Sequence, residues 1–177
     1  MQRLLDQQQI QTAVERLADE IGQYYAGRPL TVIGVLTGSV VLLADLIRHL
    51  DLPLQVGVIQ ARSYRGRSTE PGPLQIDPSM LPNIAGRDVL LVDDIFDTGH
   101  TLTALIEQLA SLSPRSVRSA VLLLKRGRQR VALRPDYVGF EIPDAFVVGY
   151  GLDFHDAYRH LPYVAVLEAD DLAAGPS

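Results

Sequence analysis

The sequence holds no cysteine, which excludes a disulfide framework and a zinc–thiolate site. That absence is compatible with a reducing cytosol. No apolar run approaches the ~20 residues a membrane helix needs. The opening residues, MQRLLDQQQI, lack the apolar centre of a signal peptide. Positive charge is also scarce: 16 Lys and Arg against 21 Asp and Glu leave a formal net charge of −5. A general nucleic-acid binder is normally basic. These deficits predict a soluble, cytoplasmic protein with neither nucleic acid nor membrane as partner.

What is present suits one compact unit. The chain has 177 residues, 47% of them hydrophobic, and no repeat or linker divides it, so a single domain over 1–177 is expected. The cations that do occur are clustered, at Arg62, Arg65 and Arg67 and again at Lys125, Arg126, Arg128 and Arg130. On an acidic protein, local clusters fit a small anionic ligand or ordinary solvated loops.

Hydrophobic periodicity orders the elements. Residues 4–26 place Ile10, Val14, Leu17 and Ile21 at helical spacing, with Gly27 and Pro29 as the stop. The run TVIGVL at 31–36 reads as a strand that breaks at Thr37-Gly38-Ser39, and 40–50 reads as an apolar helix. Further strands are expected at 54–60, 89–92 and 116–124, with shorter ones at 137–140, 145–148 and 164–167. A helix over 99–112 has Leu102, Leu105, Ile106, Leu109 and Leu112 on one stripe. Strands with near-continuous apolar character that alternate with helices predict an α/β fold with a doubly wound, mainly parallel sheet flanked by helices. One segment stands apart. Residues 61–78, ARSYRGRSTEPGPLQIDP, are polar and rich in proline, and a loop of that length is either functional, such as an active-site lid, or disordered. The terminal DDLAAGPS carries no readable signal.

The most informative stretch is 89–101, VLLVDDIFDTGHT. An apolar strand runs into Asp93 and Asp94, a turn carries Asp97, and Thr98, Gly99 and Thr101 open a helix. In open α/β sheets, ligands lie beyond the carboxyl ends of the strands. Paired carboxylates accept hydrogen bonds from a vicinal diol or help hold a divalent cation. A helix start offers unpaired N–H groups and a positive dipole end to phosphate, and glycine lets the backbone come close. Diol acceptors beside a phosphate cradle describe a ribose 5-phosphate site. The bland alternatives are an N-cap at Asp97 or Thr98 and solvated loop charge at Asp93-Asp94.

This string resembles the phosphoribosyl-pyrophosphate motif of type I phosphoribosyltransferases. From about 32 to 167 the chain is similar to the hypoxanthine-guanine phosphoribosyltransferases, most tellingly in LLLKR (122–126), RPDYVGFEIPDAFVVGYGLDF (134–154) and YRHLPYVAVL (158–167). The resemblance implies the type I fold with a small hood from the chain ends. It implies transfer of a phosphoribosyl group from phosphoribosyl pyrophosphate to hypoxanthine or guanine, with Mg²⁺, in a homodimer or homotetramer.

Site roles follow by the same resemblance. Asp93 and Asp94 hold the ribose hydroxyls near Mg²⁺; Asp97, Thr98, Gly99, His100 and Thr101 take the 5-phosphate. Asp97 matches the general base. Lys125 donates to the purine O6, Phe146 stacks on the base, and Val147 offers backbone groups to the purine edge. Asp153 lies near the purine and matches a Mg²⁺ ligand, and Arg159 contacts pyrophosphate. Thr37, Gly38 and Ser39 form the pyrophosphate loop, with a non-proline cis peptide expected there. Ser63-Tyr64 matches the lid. Thr37 and His100 stand where many relatives carry lysine; at Thr37 this removes a cation, so pyrophosphate is expected to rely more on backbone N–H groups, Arg159 and Mg²⁺.

Two other readings compete. VLLVDD and PDYVGFEIP resemble strands of a response-regulator receiver domain, but the motif starts late and Glu141 stands where aspartate is required. A nucleic-acid-binding regulator on the same fold is opposed by the net negative charge.

Overall fold

A computed structural model describes residues 1–63 and 74–175. The chain opens with a short strand β1 (Gln2–Leu5) and helix α1 (Gln7–Tyr24). Then come β2 (Leu30–Leu36), α2 (Val40–His49), β3 (Leu54–Ser63), β4 (Leu74–Asp77), β5 (Asp88–Phe96), α3 (His100–Ala110) and β6 (Ser116–Lys125). It finishes with β7 (Tyr137–Ile142), β8 (Val147–Val148), β9 (Val164–Val166) and α4 (Ala169–Ala174).

The main sheet has the order β4-β3-β2-β5-β6-β7. Every neighbouring pair is parallel except β3–β4, which is antiparallel. Side chains leave each strand on alternate faces, and both faces are covered. Val32, Leu90 and Val92 face one core shared with α1 and α2, while Ile33, Leu91 and Val89 face a second core shared with α3. This explains the unbroken apolar runs of β2 and β5. On α3, Leu102, Leu105 and Leu109 are buried, and Leu112 lies past the helix end and is exposed.

The second sheet is the hood. It joins the chain ends in the order β1-β9-β8, all antiparallel. The N-terminal ammonium of Met1 meets Asp171 of α4 at 2.6 Å, so the part of the unreadable terminal stretch that lies in α4 packs against the first residue. α1 begins later than its periodicity predicts because Asp6 caps it. The Asp6 carboxylate accepts from Gln9 N at 2.8 Å, and the Gln9 amide oxygen accepts from Asp6 N at 2.9 Å, a reciprocal capping box that fixes the helix start. Among the described residues, no helix is long and apolar enough to cross a membrane.

Two expectations change. Asp93 and Asp94 do not lie beyond a strand ending at 92. β5 continues to Phe96 because β6 still pairs with it, Asp93 opposite Val121 and Phe96 opposite Leu124. The reading of 61–78 as loop is also too broad: its ends lie in β3 and β4, with Ala61 opposite Ile76. Tyr64 and the rest of 64–73 fall outside the described residues.

Candidate active site

β2 pairs with β5 only as far as Gly34 opposite Val92, although β2 itself runs on to Leu36 beside β3. The two strands therefore part at their carboxyl ends. Their following helices go to opposite faces, α2 to one and α3 to the other. This is the topological switch point of an open α/β sheet, where a crevice forms.

A cavity of about 320 Å³ occupies that crevice. Its walls bring together Thr37, Gly38, Asp93, Asp94, Asp97, Thr98, Gly99, Thr101, Asp153 and Arg159. Ten residues expected from three separate stretches of sequence thus share one space. A larger cavity of about 510 Å³ lies between α1, α2 and 150–162, sharing Arg159. It has neither the paired aspartates nor the start of α3, so the smaller cavity is the chemically equipped one.

On one side stands the acidic pair. Asp93 is 8% exposed, and its carboxylate accepts from Asp94 N at 3.0 Å. Burial raises its pKa well above the ordinary carboxylate value, and the neighbouring Asp94 charge adds to the shift. Burial raises Asp94 too, against relief from Asp93, backbone N–H groups and Arg159. Two adjacent carboxylates out of water resist carrying two charges. Hydroxyl donors or a cation relieve that cost.

The pyrophosphate-loop position lies opposite. The Leu36–Thr37 peptide is cis, as the resemblance implies. Gly38 leaves no room for a side chain: a Cβ there would sit 1.7 Å from Asp94 Oδ2. Ser39 departs from its expected place. It is fully buried and its hydroxyl donates to Val35 O at 2.6 Å, so it starts α2 and does not line the cavity.

The floor is the start of α3. Gly99, at φ 91°, turns the chain into the helix, and a Cβ there would lie 2.4 Å from Val131 Cγ2 and 2.7 Å from Phe96 Cζ. No side chain caps this helix, so its first N–H groups remain available to an anion. Thr101 adds a hydroxyl, and His100 is exposed outside the cavity wall.

Asp97 is held from two sides. Arg128 Nε donates to Oδ1 at 2.9 Å, and Lys125 Nζ, at the end of β6, donates to Oδ2 at 3.3 Å. Burial alone would raise its pKa, but the hydrogen bonds and charges of Arg128 and Lys125 outweigh burial and hold it below the usual carboxylate value. Asp144 stands 3.9 Å from Lys125 and 3.6 Å from Arg128. Arg128 and Asp144 went unassigned in the sequence, although the 125–130 cluster of cations pointed there.

Beyond Lys125, Phe146 is 43% exposed. Phe154 meets it edge-on at 5.5 Å, and His155 lies against Phe154 at 4.3 Å. Val147 is buried in β8, so its side chain offers a ligand no surface. Arg159 bridges Asp153 at 2.8 Å and Asp156 at 3.2 Å, and donates to Gly151 O at 2.7 Å. Among the described residues, no three His, Cys, Asp or Glu side chains gather closely enough to cage a metal. Asp93, Asp94 and Asp153 therefore do not form a preassembled triad. Their hard oxygen donors still fit a Mg²⁺ ion, which commonly takes one or two carboxylates and completes its shell with water and phosphate oxygens.

The sequence matches the phosphoribosyl transferase domain family over residues 1–155. It is 40% identical to a hypoxanthine-guanine phosphoribosyltransferase of Staphylococcus epidermidis, over 94% of this chain and 93% of that relative. The chain belongs to the hypoxanthine-guanine phosphoribosyltransferase family. The Bacillus subtilis member is 38% identical over 93% of this chain and 92% of its own. A crystal structure of the Bacillus anthracis enzyme, with HEPES in its active site, superposes with a TM-score of 0.89 at 38% identity, covering 95% of this chain and 99% of that one. The Trypanosoma cruzi hypoxanthine phosphoribosyltransferase bound to its product IMP gives 0.87 at 37% identity, over 96% and 95%. Family membership disposes of the receiver-domain reading. Glu141 accordingly serves as an ion-pair partner of Arg134 on the outer strand.

Proposed function

We propose that this chain moves the 5-phosphoribosyl group of phosphoribosyl pyrophosphate onto hypoxanthine or guanine, releasing IMP or GMP and pyrophosphate. One observation carries the reading: a pair of carboxylates, Asp93 buried and Asp94 half-buried, and an uncapped helix start line a single cleft together with Arg159. A ribose 5-phosphate satisfies both sides at once. Its hydroxyls donate to Asp93 and Asp94, and its phosphate accepts from the first N–H groups of α3 and the hydroxyls of Thr98 and Thr101.

The remaining groups divide the work around the anomeric carbon. Breaking the bond to pyrophosphate leaves positive character on the sugar and negative charge on the leaving group. Arg159, released from Asp153, and the backbone of Thr37 and Gly38 meet that negative charge. Asp153 or the Asp93-Asp94 pair would hold Mg²⁺, which would supply further positive charge beside the leaving group. The purine enters over Phe146, with its O6 toward Lys125 and its edge toward the Val147 backbone, which fixes the attacking nitrogen in line with the sugar. Asp97 accepts the proton that this nitrogen sheds.

The test mixes the purified chain, the sugar donor and Mg²⁺ with hypoxanthine, guanine, xanthine and adenine in turn, and follows ultraviolet absorbance. Nucleotide should form with hypoxanthine or guanine and not with adenine. Turnover of adenine alone, or of no purine, contradicts the proposal.

A further inference from the structure

Asp97 begins as a weakened base. Each of its oxygens accepts a hydrogen bond from a cation, Oδ1 from Arg128 Nε at 2.9 Å and Oδ2 from Lys125 Nζ at 3.3 Å. Each oxygen keeps a second lone pair, but the two cations together hold its basicity down. The two cations differ in what the substrate asks of them. Lys125 is the group that meets the purine O6, so an arriving base draws it off Oδ2. Arg128 has no such competing duty. We infer that Arg128 is a positioning residue: it keeps Oδ1 throughout, so that the departure of Lys125 leaves Oδ2 open and aimed at the purine. Lys125 is then a latch that the substrate opens and Arg128 the hinge that stays.

This inference rests on the assignment of Asp97 as base. The geometry supports it in two ways. A guanidinium holds a carboxylate in a defined plane, whereas an ammonium is a movable point charge. Arg128 also stands in a strap anchored independently of its side chain, because Arg130 N donates to Thr98 O at 2.9 Å. The charged groups around Asp97 are Lys125 from β6, Arg128 from the following strap, and Asp144 behind both cations. On its own segment, Asp94 and His100 make no hydrogen bond or ion pair with it among the described residues.

The experiment compares wild type with Arg128→Met, Arg128→Lys and Asp97→Asn, reading kcat, the KM of each substrate, and kcat/KM for hypoxanthine against pH. Arg128→Met should lower kcat about tenfold, a fraction of the ~10²-fold reach of a positioned base, with the donor KM unchanged. Removing this cation raises the Asp97 pKa, and activity needs Asp97 deprotonated. The acid limb should therefore move to higher pH. Arg128→Lys should recover part of both effects. An unmoved limb, or no recovery with lysine, overturns the positioning role. Asp97→Asn separates the two levels: if it turns over like wild type, the base assignment falls and takes this inference with it. If Asp97→Asn is crippled while Arg128→Met is unaffected, this inference alone falls. The Arg128 side chain is 40% exposed, so its replacements should melt like wild type.

Discussion

Asp97 shows how one side chain answers to its neighbours. An isolated aspartate is a weak base for a purine proton, and Lys125 and Arg128 weaken it further. On the proposed mechanism it gains strength by losing one partner to the purine. Asp97→Asn keeps the shape and removes the basicity, so steady-state assays should find turnover reduced about 10²-fold or more, with substrate KM values little changed. Gly38 makes a steric claim. A methyl group there would drive into the Asp94 carboxylate, so Gly38→Ala should raise the KM for the sugar donor far more than the KM for the purine. Equal changes in both would dissociate Gly38 from the ribose side. Most of these residues were legible in sequence because their types are chemically narrow: paired acids, then Thr-Gly at a helix start. Arg128 and Asp144 were not, since an ion pair between two loops leaves no spacing to read. Ser39 entered the pyrophosphate loop by resemblance, and the bond of its hydroxyl to Val35 O was invisible in the sequence because no spacing announces it.

The elements explain why the site forms where it does. β5 leaves β2 after Val92 but stays with β6, so its last residues carry Asp93 and Asp94 on a strand rather than a floppy loop. The sequence hid this, since two charges end an apolar run whether or not the hydrogen-bond ladder ends with it. β1 was hard to place for a related reason, being four residues long with its partner near the other end of the chain, whereas the strands expected at 145–148 and 164–167 contain β8 and β9. At the far end of β5, Asp88 is 1% exposed and accepts from Ser116 Oγ at 2.6 Å and from Arg115 at 3.3 Å, with Arg28 at 3.6 Å. Replacing Asp88 with Ala strands no buried cation, because Arg28 and Arg115 reach solvent. The loss should therefore be that of a charged hydrogen-bond cluster, about 1–3 kcal/mol. Calorimetry should find the Tm lower by roughly 2–12 °C, with kcat unchanged because this end of the strand is remote from the cleft.

For the molecule as a whole, function follows from one topological event, the reversal of winding between β2 and β5. It parts the strands, places α2 and α3 on opposite faces, and leaves a cleft with acid on one wall and an open helix start below. The hood, built from both chain ends and tied by Met1 to Asp171, carries Val147 in β8, next to Phe146. The alternation of strand and helix made the sheet and its two covered faces readable from the apolar runs. The hood entered only through family resemblance, since β1 pairs with β9 from the opposite end of the chain. The most direct measurement is a crystal structure of this chain with IMP. The account predicts the ribose hydroxyls on Asp93 and Asp94, the phosphate on the 98–101 turn, and Lys125 moved from Asp97 to the purine O6. A nucleotide bound elsewhere, or one seated with its phosphate away from that turn, would contradict it.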